Sequence, residues 1–202
     1  MMKALLKKDW LVSKSLLKSY VMVIVLYGLI AYFNDNVFLF TGFSMMIPVM
    51  MVINSTAYDE RAHTVRWMIA SGISRKHLAL SKYLFALMLI LCTTLLNFYV
   101  IGIVEELMIA VLASLLFGLI GMTYVSLVLP AVFYFGSEKA RIFMMAGFIV
   151  PFALGALIIY VLKMLGLHLN EIVMIGLVVL LCFVIIFASM MLSVFILNKK
   201  DY

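Results

Sequence analysis

Fourteen of the fifteen Lys and Arg residues fall on one side of the chain once its long apolar runs are laid across a membrane. Cutting at the charged clusters leaves six such runs, roughly Leu17–Phe33, Val37–Ala57, Tyr83–Val104, Leu107–Phe135, Ile142–Leu165 and Ile172–Leu197. Each is close to or above the ~20 residues a helix needs to cross a bilayer core. The cations sort to alternate connections. Lys3, Lys7, Lys8, Lys14 and Lys18 precede the first run; Arg61, Arg66, Arg75, Lys76 and Lys82 lie between the second and third. Lys139 and Arg141 lie between the fourth and fifth, and Lys199 and Lys200 follow the sixth, with only Lys163 on the far side. Cytoplasmic loops retain Lys and Arg, so the pattern predicts an all-α polytopic membrane protein of six transmembrane helices with both termini in the cytosol.

Composition excludes the main competitors. A chain that is 67% hydrophobic and 12% charged lies far from soluble globular proteins. Its net charge of +6 invites a nucleic-acid reading, yet the cations spread along one membrane rim, where orientation and anionic headgroups account for them. Cys92 and Cys182 sit inside apolar runs and read as small packing residues. The first run follows a long cationic stretch without a small-residue cleavage site, so it is expected to remain as an anchor.

The outer connections are short: 34–36, Glu105-Glu106, and about Gly166–Glu171. Patterned sequence outside the spans is confined to the inner side, in residues 1–16 and 58–82 of a single 1–202 domain. In the N-terminal stretch Lys3, Lys7, Lys14 and Lys18 fall within an arc of about 60° at ~100° per residue. Met2, Leu5, Leu6, Trp10, Val12, Leu16 and Leu17 fill most of the other side, which predicts an interfacial amphipathic helix. Asp9 breaks the apolar arc and must find a cation or a donor, because an unpaired buried charge is costly; Leu11 breaks the cationic one. The helix, with Lys7, Lys8, Asp9 and Trp10 as its candidate residues, serves either as an anchor alone or as the frame of a docking surface for a cytosolic partner, with Asp9 paired to a cation.

The second stretch, AYDERAHTVRWMIASGISRKHLALSKYLF, opens with Asp59-Glu60-Arg61. Residues 62–70 have helical character, with Val65, Met68 and Ile69 on one face. Ser71-Gly72 ends that helix, since Gly takes the left-handed conformation readily, and Ser74 can cap the next through its hydroxyl. A short helix, a tight turn and a re-entry helix result, which is more pattern than a plain connector needs.

These residues carry a resemblance. The ALLKKDW opening, the DER cluster and TVRWMIASGISRKHLALSKY together resemble the membrane subunit of a type-2 ABC transporter, the six-span permease class of bacterial exporters. The family's corresponding segment would place Thr64, Ser71, Gly72, Ser74, Arg75, Lys82 and Tyr83 at its characteristic positions, with Gly72 where Pro is common. The resemblance implies that residues 62–70 form a coupling helix seated in a cleft of an ATPase subunit. Asp59, Glu60, Arg61, Thr64, Arg66, Ser74, Arg75 and Lys76 are the implied docking and coupling residues. It also implies a second permease copy, identical or related, and a bacterial plasma-membrane location. No G-x-x-x-x-G-K-S/T pattern occurs, so ATP and Mg would be bound by a separate chain; this one would be no enzyme and would hold no cofactor.

Other chemistry is not supported. His63, His77 and His168 fall on different loops without metal-ligand spacing, and no span contains the His that an intramembrane serine hydrolase needs. The spans lack the mid-membrane ionisable groups of a proton-coupled carrier, and Glu105-Glu106 reads as a solvated turn. Asn54, Thr93, Thr94 and Asn97 suit interhelical hydrogen bonding; Ala110, Ser114 and Gly118 make a smooth contact face. Pro48, Pro130 and Pro151 predict kinks. Seventeen Met residues suit a hydrophobic or amphipathic cargo such as a peptide, drug or lipid. Export is therefore the leading expectation. The alternatives are a ligand-binding membrane module of an energy-coupling-factor importer, or a regulatory or immunity-type membrane protein without transport.

Overall fold

The computed structural model describes residues 2–34, 36–140 and 171–199. The fifth apolar run, Ile142–Leu165, lies outside them, as do Pro151, Arg141, Lys163, His168 and Lys200. Every regular element among the described residues is helical: α1 (Met2–Lys14), α2 (Leu17–Phe33), α3 (Val37–Ser44), α4 (Met46–Arg61), α5 (Thr64–Ala70), α6 (Arg75–Val104), α7 (Leu107–Phe135) and α8 (Glu171–Lys199). Helix is the fold a bilayer demands, because it satisfies every backbone group within its own segment.

Four stretches are long and apolar enough to span: Val37–Arg61, Arg75–Val104, Leu107–Phe135 and Val178–Lys199. The first expected run behaves differently. α1 and α2 qualify only as a pair, bent by 64° at the break between them. With 17 residues, α2 alone reaches about 26 Å, short of a hydrocarbon core ~30 Å thick. α1 packs on the bundle through a narrow line, Leu5, Asp9 and Ser13, one residue per turn. Trp10, Leu11 and Leu16 of the two opposed arcs are exposed instead.

Prolines shape two of the spans, each through the hydrogen bond it removes. Pro48 follows the break at Met45 that divides α3 from α4. Pro130 lies inside α7 and leaves the Ser126 carbonyl without its helical donor; Ser189 Oγ of α8 donates to that oxygen. The Tyr83 hydroxyl of α6 bonds Ser189 Oγ at 2.7 Å and Ser193 Oγ at 2.8 Å, so one buried polar network joins α6, α7 and α8. Around it the apolar core gathers Val49, Val52, Ala86, Val125, Leu129 and Val132 from α4, α6 and α7.

The expected smooth face of α7 is packed. Ala110, Ser114 and Gly118 are all buried, and a Cβ on Gly118 would lie 2.6 Å from Thr94 Oγ1 of α6. Of the polar residues expected to bond between helices, Asn54 and Asn97 do so. Asn54 Nδ2 donates to the Tyr20 hydroxyl at 2.7 Å, and Ser44 Oγ donates to Asn97 Oδ1 at 2.7 Å. Thr93 bonds back to the Ile90 carbonyl of its own helix at 3.0 Å and also lies 3.8 Å from Met45 Sδ at the break between α3 and α4.

Candidate functional site: a buried ion-pair cluster beneath a short exposed helix

The end of the bundle that carries the basic clusters also holds the densest polar chemistry in the described chain. Asp9 projects from the packed line of α1, Ser55 and Asp59 from the last turns of α4, and Lys82 from the start of α6. All four are buried, Asp9 to 1% exposure and Lys82 to 5%. Lys82 Nζ lies 2.8 Å from Asp9 Oδ1, 2.7 Å from Asp59 Oδ2 and 2.7 Å from Ser55 Oγ. A tetrahedral ammonium has three donors, and these contacts use them all. Lys8 closes the cluster from the half-exposed side, 2.5 Å from Asp59 Oδ1 and 3.3 Å from Asp9 Oδ1. Ser55 Oγ donates to Asp9 Oδ1 at 2.8 Å. Two carboxylates and two ammoniums thus neutralise one another where α1, α4 and α6 meet. Such an arrangement gains little over well-packed apolar residues, but removing a single member strands a charge.

The cluster also fixes the root of α5. Thr64 Oγ1 donates to Asp59 Oδ1 at 2.9 Å and to the Asp59 carbonyl at 3.2 Å. The turn before it is tight: Ala62 N–H bonds the Tyr58 carbonyl, His63 N–H bonds the Glu60 carbonyl, and His63 takes a left-handed φ of 50°. A non-glycine residue in that region stores strain, so the surroundings must hold it there. Beyond this root the seven residues of α5 bury none of their side chains, and Trp67 is 74% exposed. At its far end Gly72 takes φ of 86°, and Ser74 caps α6 by accepting from His77 N–H at 3.4 Å. Arg75 Nη1 then reaches the Asn198 carbonyl of α8 at 2.6 Å.

The anticipated site residues separate into two groups. Lys8, Asp9, Asp59 and Thr64 come together in the cluster. The rest point elsewhere. Lys7, Trp10, Arg66 and Lys76 are exposed. Glu60 turns to a third element: its Oε2 accepts from Ser137 N–H at 2.8 Å, where the chain resumes a helix after Gly136. Arg61 lies 3.9 Å from Glu138 with both side chains largely exposed, a pair worth little. Asp59 is therefore an internal strut and presents no surface to a partner.

Sequence reasoning missed Ser55 and the placement of Lys82, which had been counted among the cations of the rim. A signal for Lys82 existed. Asp9 needed a counter-charge, and Lys82 is the last cation before the third apolar run, at the depth where such a partner must enter.

A family model described as "ABC-2 family transporter protein" matches residues 4–198. No curated protein and no solved structure matches the chain.

Proposed function

The chain belongs to the ABC-2 transporter family, and from that premise we propose that it is an export permease whose short helix α5 takes up the stroke of a separate ATP-binding subunit. Membership makes it a multi-pass membrane subunit of an ABC transporter; in this reading ATP hydrolysis resides in a partner chain. One observation carries the coupling role: α5 buries none of its residues and exposes Arg66, Trp67 and Ala70, while its root is pinned to a buried ion-pair cluster shared by three helices. A force applied to the exposed helix reaches α1, α4 and α6 through Asp59, Lys82 and Asp9. A rigid element that either docks or is released, joined to packed helices, is the usual means of relaying such a change.

The docking contacts in this reading are the exposed side chains at the rim, Arg61, Trp67 and Lys76, with Arg75 set back against α8. Trp and Arg are the residue types that most often dominate an interface. Thr64 and Ser74 set the two ends of the lever, and Asp59 and Glu60 brace it from within. The interfacial helix α1, with Lys7 and Trp10 facing outward, holds the cluster at headgroup depth. The basic end faces the cytosol of a bacterial cell, and two permease copies, identical or related, form the pathway at their shared surface. The cargo is a hydrophobic or amphipathic compound.

The test is cargo-stimulated ATP hydrolysis in the reconstituted complex. Arg61→Glu with Lys76→Glu reverses two exposed charges that no buried group depends on. Stimulation should fall while membrane insertion and the amount of folded permease stay the same. Full stimulation in that variant removes these residues from docking.

A further inference from the structure

A cavity of about 250 Å³ lies between the ion-pair cluster and α5. One wall is apolar, formed by Leu5, Val65, Leu78, Phe133 and Leu197; the other is the flank of the cluster, Lys8, Asp59 and Lys82. His63 and Arg66 stand on the same cavity and are exposed. The charged groups lining it are three cations, Lys8, Arg66 and Lys82, against two carboxylates, Asp59 and Glu60.

Those carboxylates are already engaged. Asp59 is held by both lysines, and Glu60 accepts from the Ser137 N–H. The lysines are engaged in return. Thr56 and Ser81 satisfy their hydroxyls on carbonyls of their own helices, those of Val52 and Leu78. Among the described residues, the side chains of Arg66 and His63 make no hydrogen bond or ion pair. The cavity therefore offers an unspent guanidinium and an imidazole beside an apolar wall, which is the chemistry of an anionic amphiphile.

Its depth favours a lipid as the source. Leu5 and Lys8 belong to α1, whose Lys3, Lys7 and Lys14 are exposed and whose Trp10 is 46% exposed. Lysines with a half-exposed Trp mark the headgroup layer. A volume of about 250 Å³ is below the range of pockets that enclose a whole drug-sized molecule. It suits a phosphate headgroup and the first methylenes, with the acyl chains left outside.

We propose that this cavity binds the phosphate-bearing headgroup of an anionic phospholipid, with Arg66 and His63 at the phosphate and the apolar wall against the adjoining methylenes. The site rests on the membrane setting and the cavity alone, and requires neither an ATPase nor a cargo. Binding there places a lipid against the root of α5, beside Val65 and the Asp59 that anchors Thr64.

Native mass spectrometry of the purified chain, titrated with phosphatidylglycerol or phosphatidylcholine, tests it. The wild type should retain one phosphatidylglycerol in preference to phosphatidylcholine. Arg66→Gln should cut that preference roughly fivefold, the effect of one cation near an anionic headgroup. Leu78→Trp, which fills the cavity from its apolar wall, should remove the preference while thermal unfolding confirms the variant is folded. Should Leu78→Trp fail to fold, Arg66→Gln decides alone, because Arg66 is exposed and supports no packing. Equal retention of the two lipids by the wild type overturns the proposal, as does an unchanged preference in Arg66→Gln. Displacement of phosphatidylglycerol by millimolar inorganic phosphate overturns the lipid assignment in favour of a simple anion site. Loss of ATPase co-purification in Arg66→Gln, with lipid retention intact, assigns Arg66 to a protein partner instead.

Discussion

Asp9, Asp59 and Lys82 illustrate how little a charged residue's type says about its role. By composition each is one more ionisable group near a membrane surface; by position each is held inside the bundle by the others. Lys82→Met leaves Asp9 buried with only the more distant Lys8, at 3.3 Å, as its cation. Breaking such a pair from one side costs about 3–5 kcal/mol, which should appear as a marked fall in the unfolding temperature of the purified protein. The double variant Lys82→Met with Asp9→Leu removes both charges and should recover much of that loss. Lack of recovery would mean that the pair has no energetic coupling. A second residue-scale expectation concerns Ser189. Replacing it with Ala leaves the Ser126 carbonyl, already deprived of its helical donor by Pro130, without its side-chain donor. The cost should be about 1–3 kcal/mol, measured in the same way.

At the scale of elements, α5 and the α6–α7 pair make opposite demands. α6 and α7 approach closely because α7 offers Ala110, Ser114 and Gly118 on one face. Gly118→Ala would press a methyl group onto Thr94 at 2.6 Å, so it should destabilise by about 1–3 kcal/mol as overpacking does. Pairing it with Thr94→Ala should restore stability, since the clash is with that side chain. α5 packs only in part, through Val65, Met68 and Ile69, and is held at its root. Thr64→Val removes the hydroxyl that grips Asp59 and should lower cargo-stimulated ATP hydrolysis while leaving the unfolding temperature nearly unchanged. A large fall in stability with normal stimulation would instead make Thr64 a structural residue only.

These elements also show what was legible beforehand. The shared face of Val65, Met68 and Ile69, then Ser71-Gly72 and Ser74, announced a short helix over 62–70, a left-handed turn and a capped re-entry; α5 stands there from Thr64, with Gly72 at φ 86° and the Ser74 cap. Both features are local, decided by backbone preference within a few residues. The small-residue face of α7 was legible for the same reason. Pairings between distant segments were legible only as an unmet need. Asp9 visibly needed a cation, but Lys82 is 73 residues away and Lys8 is adjacent; only the packing of α1 across α4 and α6 chooses between them and then uses both. Glu60 read as a surface contact because nothing in its neighbourhood revealed that Ser137 would sit beside it. An interfacial amphipathic helix was the expectation for α1, yet the line that packs is Leu5, Asp9 and Ser13, and hydrophobic patterning assigns the last two to no core.

At the scale of the molecule, most of the charged side chains among the described residues lie at one end of an apolar bundle. Among the described residues, four stretches that qualify as spans and the bent pair α1 and α2 bring the Lys and Arg residues, with Asp9, Asp59 and Glu60, to the same rim, while Glu105 and Glu106 stand at the other end. The ion-pair cluster, the cap on Ser137, the Arg75 contact with α8 and the cavity under α5 all lie there. A subunit whose rim is cross-braced in this way is suited to receive force at a single exposed element and distribute it to several helices. The central claim is that α5 is the element that receives it. The most direct measurement is a mild-detergent isolation of the tagged chain from its native membrane, once as wild type and once with residues 62–70 scrambled. An ATP-binding ABC subunit should accompany the wild type and be lost from the scrambled chain, with both chains folded by thermal unfolding. Equal recovery of that subunit with the scrambled chain would contradict the account.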